Sequence, residues 1–189
     1  MFAAFMRPTT SAPAPPATTH AAHGGAPPPK AADLIGDAGD GHGQAAALGR
    51  MPMPVYFPRQ IANGSSYCSP NGNACPVETP SPGSYPRAYR IHDQQGHPFA
   101  AYRMTLVLNS PFGQYYGIEG TTWSDPPLLS HPNETRLVEG KRLELFYDGH
   151  KLTVVAWRTP HGVYWVSNTL TDDLSNAQML GIAASFTRG

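Results

Sequence analysis

The feature that most constrains the fold of this 189-residue chain is a series of three short turns, each set between segments in which apolar and polar residues alternate. The turns are Glu139-Gly140-Lys141, Asp148-Gly149 and Thr159-Pro160-His161-Gly162. The segments are Thr135-Arg136-Leu137-Val138, Arg142 to Tyr147, Lys151 to Arg158 and Val163 to Asn168. Alternation with period two puts the apolar side chains of a strand on one face, and Asp-Gly supplies the left-handed backbone of a two-residue hairpin. Three successive hairpins predict an antiparallel meander as the most economical topology.

The same pattern extends upstream. Arg87 to Ile91 alternates, Asp93-Gln94-Gln95-Gly96 turns the chain, and Phe99 to Leu108 alternates again, with Tyr102, Met104, Leu106 and Leu108 on one face and Arg103, Thr105 and Val107 on the other. The pair reads as a hairpin. Gln114 to Trp123 reads as a further strand, bent or bulged at its glycines and stopped by Asp125-Pro126-Pro127. At the end the period changes: Ser175-Asn176-Ala177-Gln178 fits a capping box, and Met179, Leu180, Ile182, Ala183 and Phe186 form an apolar stripe at helical spacing. The expected fold class is α+β, a twisted or half-barrel antiparallel sheet closed by a C-terminal helix.

Composition divides the chain. Its 21 prolines and 19 glycines exceed ordinary usage, and Met1 to about Arg50 is largely Ala, Pro, Gly, Thr and His. Such a stretch offers too little apolar area to offset chain entropy, so residues 1–50 are expected to be a disordered linker and 51–189 the α+β domain. Within the linker, Asp33-Leu34-Ile35 and Gln44 to Leu48 are long enough for a helical turn or two, docked lightly. A formal net charge of zero argues against a nucleic-acid or anionic-membrane binder. The apolar opening Met1 to Met6 is ended by Arg7-Pro8, far short of a signal core or a membrane span.

Cys68 and Cys75 are the only cysteines and bracket a segment of turn residues centred on Asn71-Gly72, so a local disulfide is the leading reading and two free thiols the alternative. A disulfide would place the protein in an oxidising compartment, in conflict with the missing export signal unless the chain is part of something longer; taken literally, the start implies a cytoplasmic protein. No nucleophile elbow, metal-ligand spacing, phosphate loop or dinucleotide fingerprint is present, so no catalytic residue, metal or cofactor is expected and the chain leans away from an enzyme. The candidate ligand-binding residues are Trp123 and Asp125, placed to rim a pocket with an aromatic wall, and Tyr115 and Tyr116. Trp and Tyr stack on sugar rings and also fill cores, and both uses stand open for these residues.

From Met53-Pro54-Val55-Tyr56-Phe57-Pro58 onward, and most specifically in Tyr115 to Pro127, Val154 to Pro160 and Val163 to Leu170, the chain resembles a C-terminal extension of actinobacterial LytR-CpsA-Psr proteins. Members of that family are anchored by an N-terminal membrane helix, face outward, and carry a phosphotransferase domain that joins polyprenyl-linked glycopolymers to peptidoglycan. The resemblance implies an extracytoplasmic, non-catalytic accessory module, with cell-wall polysaccharide or a LytR-CpsA-Psr catalytic domain as partner. Neither that domain nor its membrane helix is in this sequence, so no catalytic residue carries over. A second likeness, the Trp165 strand followed by the capped helix, is to LolA-like or anti-sigma-type envelope domains, which hold a lipid or peptide in a concave sheet.

Overall fold

The computed structural model describes residues 33–68, 86–108 and 113–189. Cys75 lies outside the described residues, as does most of the expected linker. The chain runs through β1 (Leu34–Gly36), α1 (Ala38–Ala47), β2 (Tyr56–Pro58), β3 (Gln60–Ala62), β4 (Ser65–Tyr67), β5 (Arg87–His92), β6 (Pro98–Leu108) and β7 (Tyr115–Thr121). It continues through a 3-10 turn (Pro127–Leu129), β8 (Glu134–Val138), β9 (Lys141–Asp148), β10 (Lys151–Thr159), β11 (Gly162–Ser167), α2 (Asn176–Ala184) and β12 (Phe186–Arg188). The main sheet is antiparallel throughout and open, in the order β4-β6-β7-β11-β10-β9-β8, with β5 also on β6.

The expected hairpins form at their turns. Glu139 and Gly140 take positive φ between β8 and β9, and Gly149 does so between β9 and β10. The strand order is not the simple meander, however. β7 pairs with β11 rather than β8, because the chain leaves β7, crosses one face of the sheet through the 3-10 turn, and enters β8 at the far edge. Leu129 in that turn is fully buried against Val154, Ala156, Val163 and Trp165, and this satellite core pins the crossing. On the other edge β4 and β5 lie end to end along β6. Tyr67 sits opposite Leu106, the Cys68 amide donates to the Thr105 carbonyl at 2.8 Å, and Arg87 sits opposite Arg103.

The main core occupies the other face. Tyr102, Met104 and Leu106 of β6, Tyr116 and Ile118 of β7, Tyr164 and Val166 of β11 and Leu143 and Leu145 of β9 are all fully buried there. A bulge after Leu152 resets the parity of β10, so Leu152 and Val155 both reach this core although three positions apart. Helix α2 covers it with Met179, Ile182 and Ala183, and its capping box is complete: the Ser175 hydroxyl accepts from the Gln178 amide and the Gln178 side chain accepts from the Ser175 amide. Its last turn is tied down by Lys141, whose ammonium donates to the carbonyls of Ala184 and Phe186.

The fold begins earlier than the expected boundary at residue 50. Leu34-Ile35 forms a strand on β3 rather than a helical turn, and Ala38–Ala47 is a full helix packed by Ala45 and Leu48. Composition hid this helix because its AGDGHGQAAA sequence carries three glycines and little apolar surface. Packing explains one of the three. A Cβ on Gly41 would stand 2.5 Å from Phe57 Cδ2, so the helix lies closer to β2 than any other residue allows there. Among the described residues no helix is long and apolar enough to cross a membrane.

Candidate binding face

The crossing segment divides the second face of the sheet. It roofs β9 to β11 and leaves the β5-β6-β7 half uncovered by that segment. Strand parity fixes what this half displays: Arg87, Tyr89 and Ile91 from β5, Phe99, Ala101, Arg103 and Thr105 from β6, and Tyr115, Gly117 and Glu119 from β7.

At one end stands an aromatic shelf. Trp123, just beyond β7, stacks on Phe99 with ring centroids 5.0 Å apart and planes 12° from parallel, and both are half-buried. The shelf is held by a compact set of hydrogen bonds. The Thr122 amide donates to Ala100 O (2.9 Å), the Ala100 amide to Thr122 Oγ1 (3.0 Å), Thr121 Oγ1 to Ala100 O (3.0 Å), and the Trp123 amide to Thr121 Oγ1 (3.2 Å). Arg158 secures the next residues, donating through Nε to the Glu144 carboxylate and through its terminal nitrogens to the carbonyls of Ser124 and Leu129.

Farther along the strip lies a polar cluster. Arg103, Glu119 and Trp165 face one another across β6, β7 and β11, and Thr105, Gly117 and Ser167 form the adjacent row. Arg103 Nε is 3.3 Å from Glu119 Oε1, with the Arg side chain 45% exposed and the Glu 11%. Gly117 makes room for this carboxyl. A Cβ there would lie 2.7 Å from Ser167 Oγ and 3.3 Å from Glu119 Cδ. Burial pushes Glu119 above its ordinary carboxyl value, more than Arg103, Trp165 and Ser167 draw it back. Burial likewise raises Tyr89, whose phenol feels Glu119, Arg103 and Arg87 together.

The sign for stability follows from that shift. Just above the ordinary value of 4.5 the folded state holds a Glu119 proton that the unfolded chain has lost, so this group's contribution falls as pH rises through the window between the two values. Glu119→Gln removes the dependence. Its melting temperature relative to wild type is therefore expected to rise between about pH 4 and about pH 7. A difference that stays constant with pH would contradict the burial of this carboxyl.

The four ligand residues anticipated from sequence do not form one site. Tyr116 is fully buried in the main core, its hydroxyl accepting from the Ala62 amide, whereas Tyr115 points to the second face beside Cys68 and Val107. Trp123 is on the shelf, and Asp125 stands beyond it, 75% exposed and 3.7 Å from Arg158. Glu119 was missed because it reads as an ordinary outward strand position. Its flanking glycines, Gly117 and Gly120, were the available signal, since a carboxylate between gaps in a central strand has space to fold down.

Cys68 is fully buried and disulfide-bonded. A groove of about 360 Å³ lies apart from this face, between α1, the 49–55 segment and β12, lined by Met51, Met53, Arg50 and Arg188 among others. Among the described residues no three His, Cys, Asp or Glu side chains gather as a metal site. Comparison of the chain with protein-family models, curated proteins and solved structures finds no match.

Proposed function

We propose that the chain is a non-catalytic module of the bacterial cell envelope, of the LytR-CpsA-Psr type, that binds wall polysaccharide across its β5-β6-β7 face. The observation that carries this reading is the Phe99-Trp123 shelf: two large rings stacked, half-exposed, and held by a hydrogen-bonded scaffold that owes nothing to core packing. Rigid aromatic surface at a loop is what a sugar ring stacks on at low entropic cost. The polar row beside it supplies hydroxyl, carboxylate and guanidinium partners for sugar hydroxyls. The disulfide at Cys68 agrees with an oxidising, extracytoplasmic setting.

The lipid-carrier alternative asks for room between sheet and helix. That space is filled by Tyr102, Tyr116, Tyr164, Met104, Met179 and Ile182, each with no measurable exposure.

Retention of the purified protein on isolated bacterial cell wall, measured by sedimentation, tests the reading. Wild-type protein is expected to be retained, and Trp123→Ala to weaken retention about tenfold while leaving the circular dichroism spectrum unchanged. Absence of retention by the wild type would overturn it.

A further inference from the structure

One juxtaposition on this face works against the fold's own stability. Arg87 and Arg103 are directly opposite each other on β5 and β6, on the same side of the sheet. Like charges at such a pair repel. Arg103 has Glu119 beside it, while Arg87 is exposed and in no ion pair among the described residues. The Tyr89 phenol feels both guanidiniums as well as Glu119, so all four groups converge. Counting Arg87, Arg103 and Glu119, the cluster is left with one uncompensated positive charge.

Next to it the Thr105 hydroxyl, in a residue only 6% exposed, and the Trp165 indole N–H, also 6%, make no hydrogen bond. Thr105 sits opposite Gly117, whose missing side chain leaves a notch in the face. Buried polar groups without partners are uncommon in folded proteins, and together these ask for a ligand that brings one negative charge and a neighbouring hydroxyl.

We infer that the Arg87-Arg103 pair with the Gly117 notch is a subsite for a sugar unit that carries a carboxylate. A monoanion balances the single excess charge, and a planar carboxylate matches the guanidinium fork that Arg87 has free. A ring hydroxyl beside the carboxylate is placed to meet Thr105 in the notch. The subsite lies four residues along β6 from Phe99, roughly 13 Å at about 3.3 Å per residue, so a short oligosaccharide spans the shelf and the arginines. The inference rests on the saccharide reading proposed above and names the class of saccharide.

The test compares polygalacturonate with its methyl ester, a neutral polymer of the same shape, as ligands of the intact protein. Wild type is expected to bind the acid about tenfold more tightly than the ester, with the preference shrinking as salt is raised. Arg87→Gln is expected to abolish the preference and to unfold at no lower a temperature than wild type, since it removes the like-charge pair. Arg87→Lys, which keeps the charge but not the fork, should restore only part of it. Retention of the full preference by Arg87→Gln would overturn the subsite, as would displacement of the polymer by inorganic phosphate at lower concentration than by free galacturonate. Equal binding of acid and ester by wild type, with both lost in Trp123→Ala, overturns the subsite and leaves the saccharide reading standing. Failure to bind either polymer, together with no retention on cell wall, removes both.

Discussion

Gly120→Ala is expected to destabilise the fold by about 3 kcal/mol, read as a lowered urea midpoint at unchanged slope. Gly120 lies on β7 directly between Tyr102 on β6 and Tyr164 on β11. A Cβ there would stand 2.5 Å from Tyr102 Cε1 and 2.7 Å from Tyr164 Cδ1. The two rings cover the glycine from both sides and have nowhere to go. The Tyr102 hydroxyl donates to the Tyr56 carbonyl at 2.8 Å and accepts from the Tyr56 amide at 3.1 Å, while Tyr164 donates to the Pro54 carbonyl at 2.9 Å. One methyl group therefore costs overpacking, typically about 1–3 kcal/mol, and threatens three hydrogen bonds that satisfy the backbone at Tyr56 and Pro54. The control is Gly149→Ala, where nothing stands within 4 Å and only the positive φ of 55° opposes a side chain. Equal losses at the two positions would mean that the tyrosines yield, and that the core around them is looser than its burial indicates.

Gly120 also illustrates what a sequence of this kind conveys. The strands were legible because β6 and the β8 to β11 hairpins alternate cleanly and their turns carry Asp-Gly or Gly at the required positions. The capping box of α2 was legible because both of its hydrogen bonds are local. The order of strands was not. Pairing of β7 with β11 depends on Leu129 finding its place under the crossing segment, a contact between residues remote in sequence that no local pattern encodes. Helix α1 was underestimated for the same reason, since its glycines are unfavourable in isolation and Gly41 becomes an asset only against Phe57.

For the candidate site, adjacency in sequence was misleading. Tyr115 and Tyr116 look like a pair, yet consecutive residues of a strand point to opposite faces, and the structure sends one to the core and the other to the second face. The residues that do share that face, Phe99, Arg103 and Glu119, are spaced by even intervals along their strands or brought together by register. Asp125, which suggested a pocket rim, instead approaches Arg158. Its charge belongs to the network that fixes the shelf from behind.

That network gives the second large effect. Arg158→Met is expected to lower stability by about 2 kcal/mol and, separately, to weaken cell-wall retention as much as Trp123→Ala does. The guanidinium is about one-third exposed and joins three segments: Glu144 on β9, the Ser124 carbonyl next to Trp123, and the Leu129 carbonyl in the buried turn. Methionine preserves much of the apolar stem that lies along the sheet, so the loss reports the polar head. Removing it leaves Glu144, with a side chain only 18% exposed, without its cation, and leaves the Leu129 carbonyl without its donor. Partial exposure limits the cost, because water reaches the vacated positions more readily than in a sealed core. The effect on binding has a different origin. Thr121 and Thr122 hold the start of the loop through the backbone of Ala100, but beyond Trp123 the printed restraint at Ser124 comes from Arg158. Without it the indole keeps its position in the chain and loses its fixed orientation on Phe99, so a ligand must supply the ordering entropy. If Arg158→Met destabilises the protein yet leaves retention at the wild-type level, the shelf is ordered by its threonines alone and the arginine serves only the crossing segment.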